Sequence, residues 1–166
     1  PDPKVHFLQT YQVCDGDIEV CGRYLHYNAF DAFTGTFYGG ELGLSLQEYP
    51  TVHSVLYGQI EVDENGNVIA AGHSFENQNT EALTQTEVFW NIGGGSFLGM
   101  ELDSSLSLVS DSTDQTWPRI AYQDVGGTWV THLVTQEVEW VPDGDSALGY
   151  YVVSYWRKEG SGPTAG

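Results

Sequence analysis

The sequence is short of positive charge. Against 23 Asp and Glu it carries 5 Lys and Arg, a formal net charge of −18. A nucleic-acid partner needs clustered Lys and Arg to displace condensed counterions, so that class is excluded. Docking on an anionic membrane surface is excluded on the same ground. The bland reading of so many carboxylates is solubility, and a salt-rich or extracellular setting also fits. The chain lacks any run of about 18 apolar residues, so no membrane partner is expected. It has two cysteines, Cys14 and Cys21. With no second Cys pair and no nearby His pair at ligand spacing, no metal site is expected. It also lacks a phosphate loop with its Lys and an EF-hand pattern of Asp, so no cofactor is expected. The one methionine is Met100, and the chain opens "PDPKVHF". Removal of a secretory leader would account for that opening, as would trimming, and the expected localisation is secreted or extracytoplasmic. A convincing 3.6-residue apolar period is missing too. The best helix candidate is the short, Thr-rich "NTEALTQTEV", residues 79–88.

What is present is β-forming. The chain of 166 residues holds 40% hydrophobic residues, with 10 Tyr, 7 Phe, 5 Trp and 20 Gly. That length predicts one domain over residues 1–158, with a small, polar, flexible tail at 159–166. Segments such as "KVHFLQTYQV", "GRYLHYNAF", "HSVLYGQIEV", "NVIAAGHSFEN", "TEVFWNI", "TWVTHLVTQEVEWV" and "LGYYVVSYWRK" are rich in β-branched and aromatic residues. The turn signals "DGD", "FTG", "DENGN", "GGG" and "PDGD" separate them. "DENGN" is the clearest hairpin, because Asn-Gly supplies the positive φ angles of a tight turn. Short strands joined by turns predict an all-β fold, an antiparallel barrel of about eight strands. Cys14 and Cys21 bracket "DGDIEV". On two arms of a hairpin they reach disulfide distance, although free thiols fit the spacing as well.

"NIGGGSFLGM", residues 91–100, raises the question of a phosphate loop. Such a loop lies between a strand and a helix N-terminus. Here "SFLGMELDSSLSLV" follows, alternating like a strand with Leu98, Met100 and Leu102 on one face. The glycines therefore predict a strand-to-strand turn. This stretch resembles the Gly-Gly turn of the dirigent and allene oxide cyclase superfamily. The succession "GTFYGGELGLSL", "SVLYGQIEV", "GNVIAAGHSFE" and "TQTEVFWNIGGGSFLGM" is similar to the family layout over residues 35–108. Gly95 stands where the family often has Thr, and Ser96 where it has Gly. The resemblance implies an eight-stranded barrel with an apolar cavity. It also implies cofactor-independent steering of cyclisation or coupling of a reactive hydrophobic small molecule. No motif carries the family's acidic residues onto positions of this chain.

Candidate site residues come from alternation instead. Ile69, Ala71, His73 and Phe75 share one face. Val130, His132, Val134, Val138 and Trp140 share another. A histidine among apolar neighbours is either a hydrogen-bonded core residue or a cavity-lining donor or base. His73 and His132 are thus the candidate catalytic histidines. Glu87, sharing a face with Phe89 and Asn91, is the candidate general acid. Asp63, Glu64, Asp111, Asp143 and Asp145 fall in turns and are expected to be solvated. Tyr24, Tyr57, Phe89, Trp90 and Trp140 are the candidate ligand-binding aromatics. Phe89 and Trp90 point to opposite sides of their strand, so only one of the two can face a cavity. "GGGSFLG" is not the Gly-x-Ser-x-Gly of a hydrolase elbow. Two functional classes follow. One is a cofactor-free cyclase acting on a hydrophobic small molecule. The other is a secreted, non-catalytic binder, either a carrier of an apolar ligand or a lectin-like module. Trp117, before Pro118, is the exception to aromatics lying within strands. Assembly into a homo-oligomer is left open.

Overall fold

The computed structural model describes residues 4–14, 21–39, 44–45, 54–63, 66–75, 85–93, 96–101, 114–139 and 150–160. At some strand ends, Cys14, Cys21 and Phe75 among them, only the backbone is described. The elements are all strands: β1 (Lys4–Cys14), β2 (Cys21–Asp31), β3 (Thr36–Phe37), β4 (Leu44–Ser45), β5 (Ser54–Val62) and β6 (Val68–Phe75). They continue with β7 (Gln85–Gly93), β8 (Ser96–Glu101), β9 (Asp114–Val125), β10 (Thr128–Glu139) and β11 (Tyr150–Glu159). The weak helix candidate over 79–88 is not helical in its last four residues. Gln85–Val88 belong to β7, where pairing to β6 and β8 suits the β-branched Thr86 and Val88 better than a helix does. Residues 79–84 lie outside the described ones.

The strands form three antiparallel sheets. The first is β1–β2–β3, with β4 also on β2. The second is β5–β6–β7–β8, and the third is β11–β10–β9. "DENGN" turns the chain from β5 into β6. Asp63 and Asn67 close it through Asp63 N to Asn67 O at 3.0 Å and Asn67 Nδ2 to Asp63 Oδ2 at 2.6 Å, with Gly66 at φ +82°. Asp63 is buried rather than solvated, since its carboxylate serves the turn it closes. The Gly-rich stretch joins β7 to β8, with Gly93 paired to Ser96. Cys14 lies directly opposite Cys21 at the end of the β1–β2 ladder. β11 runs through Glu159, and Gly160 N donates to Trp129 O at 2.7 Å, so order extends into the start of the expected tail.

The middle sheet is covered on both faces. Val55, Val68, Ala70 and Phe89 pack against Leu25, Tyr27 and Ala29 of the first sheet. Ile69, Ala71, Val88 and Trp90 pack against Ile120 and Leu133 of the third. Burial on both faces explains why "VIAA" reads as an unbroken apolar run instead of an alternation. Among the described residues the sheets do not close into the expected barrel. A barrel wall has one face inward and one outward, whereas this middle sheet has two inward faces and needs a layer on each. Gly58 reflects that tightness. A Cβ there would clash with Leu8 Cδ2 and stand 3.0 Å from Leu25 Cδ1.

Candidate functional site

Two β-bulges converge on one histidine. In β5 the register shifts between Leu56 and Gln59, so that Tyr57 and Gly58 oppose Gly72 alone. In β9 it shifts between the partners of Val134 and Gln136, so that Trp117 and Pro118 oppose Thr135. Each bulge opens on an aromatic in the left-handed region, Tyr57 at φ 51° and Trp117 at φ 46°. These are the two positive-φ non-glycine residues among those described. For bulky side chains that conformation costs on the order of 1–3 kcal/mol each and persists only where the surroundings impose it. Bulges of this kind re-aim side chains and concentrate beside functional sites.

Both bulges meet at His73 of β6. The Tyr57 ring lies 4.8 Å from the imidazole, centroid to centroid. The Trp117 backbone N–H donates to His73 Nδ1 over 3.4 Å. Nδ1 therefore carries no proton, and the neutral ring holds its proton on Nε2. Burial lowers His73 to about 4, because the cation would lose its water. Among the described residues nothing accepts from Nε2–H. His73 itself is 6% exposed, whereas Tyr57 is 61% and Trp117 43% exposed. The buried, neutral imidazole thus meets the ring of one exposed aromatic and the backbone N–H of another.

A polar cluster continues from His73 into the layer between the second and third sheets. Thr86 pairs with His73 across β6–β7 and donates through Oγ1 to Gln115 O at 3.3 Å. Gln115 pairs with Glu137 across β9–β10. Glu137 is fully buried and accepts from Ser154 Oγ. Trp156 Nε1 donates to Thr135 Oγ1 at 3.3 Å. Among the described residues, the buried side-chain polar atoms without a partner are Trp90 Nε1, Gln115 Nε2, Gln115 Oε1 and Thr131 Oγ1. All of them belong to residues lining this one layer. Farther along it, burial and then the charge of Asp63 raise Tyr122. No group of three or more His, Cys, Asp or Glu among the described residues is arranged to hold a metal ion.

The sequence candidates fall in different places. His73 and Tyr57 are brought together. His132 is not with them: it lies on the outer face of the third sheet, bonded to Tyr155 Oη at 2.5 Å and Gln123 Nε2 at 3.0 Å. The inner face of β10 is Thr131, Leu133, Thr135 and Glu137, all buried. Glu87 is half-buried on the side of β7 that faces the first sheet, in phase with Phe89. Phe89 and Trp90 are both core, one in each layer. Tyr24 is buried on the face of β2 opposite Leu25 and Tyr27. Trp140 lies outside the described residues. Sequence reasoning missed Thr86, Gln115, Glu137 and Ser154. The signal within reach was Trp117 before Pro118, an aromatic at a strand position where proline forbids regular pairing. No family model, curated protein or solved structure matches the chain.

Proposed function

We propose that the protein is a non-catalytic binder of a small, neutral, ring-containing molecule at the Tyr57–His73–Trp117 junction. The observation that carries this reading is that both left-handed aromatics are solvent-facing and both meet the same buried histidine. A ligand ring stacks on the exposed aromatics and takes a hydrogen bond from His73 Nε2–H. The acidic chain repels anions, which favours an uncharged ligand. The reading needs no closed barrel and no cofactor.

The test uses thermal shift and tryptophan fluorescence with phenols, lactones, oxylipins and monosaccharides. Tyr57→Gly and Trp117→Gly remove each ring while keeping the positive φ free of strain. Each should weaken binding by about tenfold or more. Unchanged affinity in both variants, or no ligand for the native protein, overturns the junction. A response confined to monosaccharides selects the lectin-like form over the apolar-ligand carrier.

A second reading rests on the same histidine and on the dirigent-like Gly-Gly turn. A neutral imidazole N–H polarises a carbonyl oxygen without protonating it outright. Held in a reactive shape, a bound polyene or enone would close a ring by isomerisation, with no atoms gained or lost and no cofactor. Turnover of a bound ligand that His73→Gln abolishes, with binding retained, would establish catalysis. Secretion belongs to the same proposal. The opposed Cys14 and Cys21 then form a cross-strand disulfide, and unreduced protein should be two hydrogens lighter than reduced protein. Thiol labelling of both cysteines in the unreduced native chain would show them free.

A further inference from the structure

Gln115 is a buried amide with nothing to bond. It is 1% exposed, and both Nε2 and Oε1 lack a partner among the described residues. Leaving a buried donor and a buried acceptor unmade is destabilising, because each has given up its bonds to water. Its backbone is held from two sides. Thr86 Oγ1 donates to Gln115 O, and the next residue, Thr116, donates through Oγ1 to Gln136 O at 3.3 Å. Pairing to Glu137 puts the side chain on the face that looks toward the second sheet. Two residues later the chain bulges out at exposed Trp117, whose N–H reaches His73. The unpaired amide therefore lies two residues before Trp117 on β9, in the layer that His73 faces, and its backbone is tied to Thr86, the cross-strand partner of His73.

We propose that Gln115 is the specificity-determining residue of that junction, and that it selects a ligand carrying a neutral amide or lactam. Nε2–H donates to the ligand carbonyl, and Oε1 accepts from the ligand N–H. An amide is self-complementary in this way, whereas an ester or ketone satisfies the donor and leaves Oε1 unmade. A carboxylate is disfavoured by the adjoining Glu137 carboxyl group and by the net charge of −18. The other unpaired atoms, Trp90 Nε1 and Thr131 Oγ1, belong to the same interlayer, but neither offers the two-point pattern of an amide. The inference rests on the junction reading and names the chemistry its ligand brings.

The probes are δ-valerolactam, δ-valerolactone and cyclohexanone, similar rings that differ in N–H and carbonyl chemistry. Native protein should bind the lactam about tenfold more tightly than the other two, the step expected for one buried hydrogen bond lost. Gln115→Met, of similar shape, should bind all three alike. It should also melt higher when empty, because two unmade polar atoms are gone. In native protein labelled with ¹⁵N, the lactam should shift the Gln115 side-chain amide resonance and the lactone should shift it less. That measurement needs no variant. Equal binding of the three probes by native protein, with no shift at Gln115, overturns the amide assignment and leaves the junction standing. A lower melting point for Gln115→Met with the lactam preference intact assigns Gln115 to bridging buried water and also overturns it. If none of the probes binds native protein but the aromatic ligands of the preceding test do, the amide assignment fails alone. If neither set binds, the junction fails and the assignment falls with it.

Discussion

Phe89→Ala and Trp90→Ala should each destabilise the protein by about 3–5 kcal/mol. The two are adjacent in β7 and point to opposite sides. Phe89 is packed among Leu25, Tyr27, Val55 and Ala70, and Trp90 is packed in the cluster of Ile69, Val88, Ile120 and Leu133. A sheet with one solvated face, or a barrel wall around an open cavity, would tolerate one of these truncations. A middle layer tolerates neither. Trp90 should fall toward the lower end of the range, because its removal also deletes the unpaired Nε1–H. Denaturant midpoints with unchanged slopes measure both losses. A near-neutral result at either position would show that the layer on that side is absent in solution.

His73 should make the protein acid-labile in a window that opens above ordinary carboxylate titration. Its folded value is about 4, below the 6.5 of an unperturbed histidine. In the unfolded chain the ring takes up a proton as pH falls through 6.5, while the folded ring stays neutral until about 4. The unfolded state therefore binds more protons in between, and stability falls with falling pH. The slope is at most about 1.4 kcal/mol per pH unit. Allowing for the solvent that still reaches the ring, the loss across the window is on the order of 2 kcal/mol. Protonating Nδ1 also breaks the bond from Trp117 N–H, which links the transition to the bulge. His73→Gln, which carries no titrating group, should remove this slope. Urea midpoints of both proteins from pH 8 to 4 isolate the difference from the other histidines and the carboxylates. Parallel curves would mean that His73 titrates normally.

Several features were legible in the sequence because they are local. The "DENGN" hairpin follows from the backbone freedom of Gly66 and the reach of the Asp63 side chain to Asn67. The Gly-rich stretch joins two strands because an alternating segment and no helix follows it. The all-β class follows from β-branched and aromatic runs broken by turn residues. His73 stood out as a histidine between apolar neighbours in sequence, and in the fold it is buried beside Tyr57, Thr86 and the Trp117 N–H.

Which face of each strand is inward was not legible. In β10 the face of Val130, His132 and Val134 carries the exposed bonds of His132, although Val130 at its start is buried. The more polar face, with Thr131, Leu133, Thr135 and Glu137, is buried along its length. Alternation cannot decide this, because Glu137 is held by Ser154 of β11 and Thr135 by Trp156, residues more than fifteen positions away. The bulges were equally hidden, since a bulge is a mismatch between two strands and belongs to neither alone. Local chemistry in the sequence therefore determined the strands, the turns and the absence of a basic surface. Packing of one sheet against two others decided the rest: it gave β7 two buried faces, brought Tyr57 and Trp117 to His73, and buried Gln115 with no partner for its amide among the described residues.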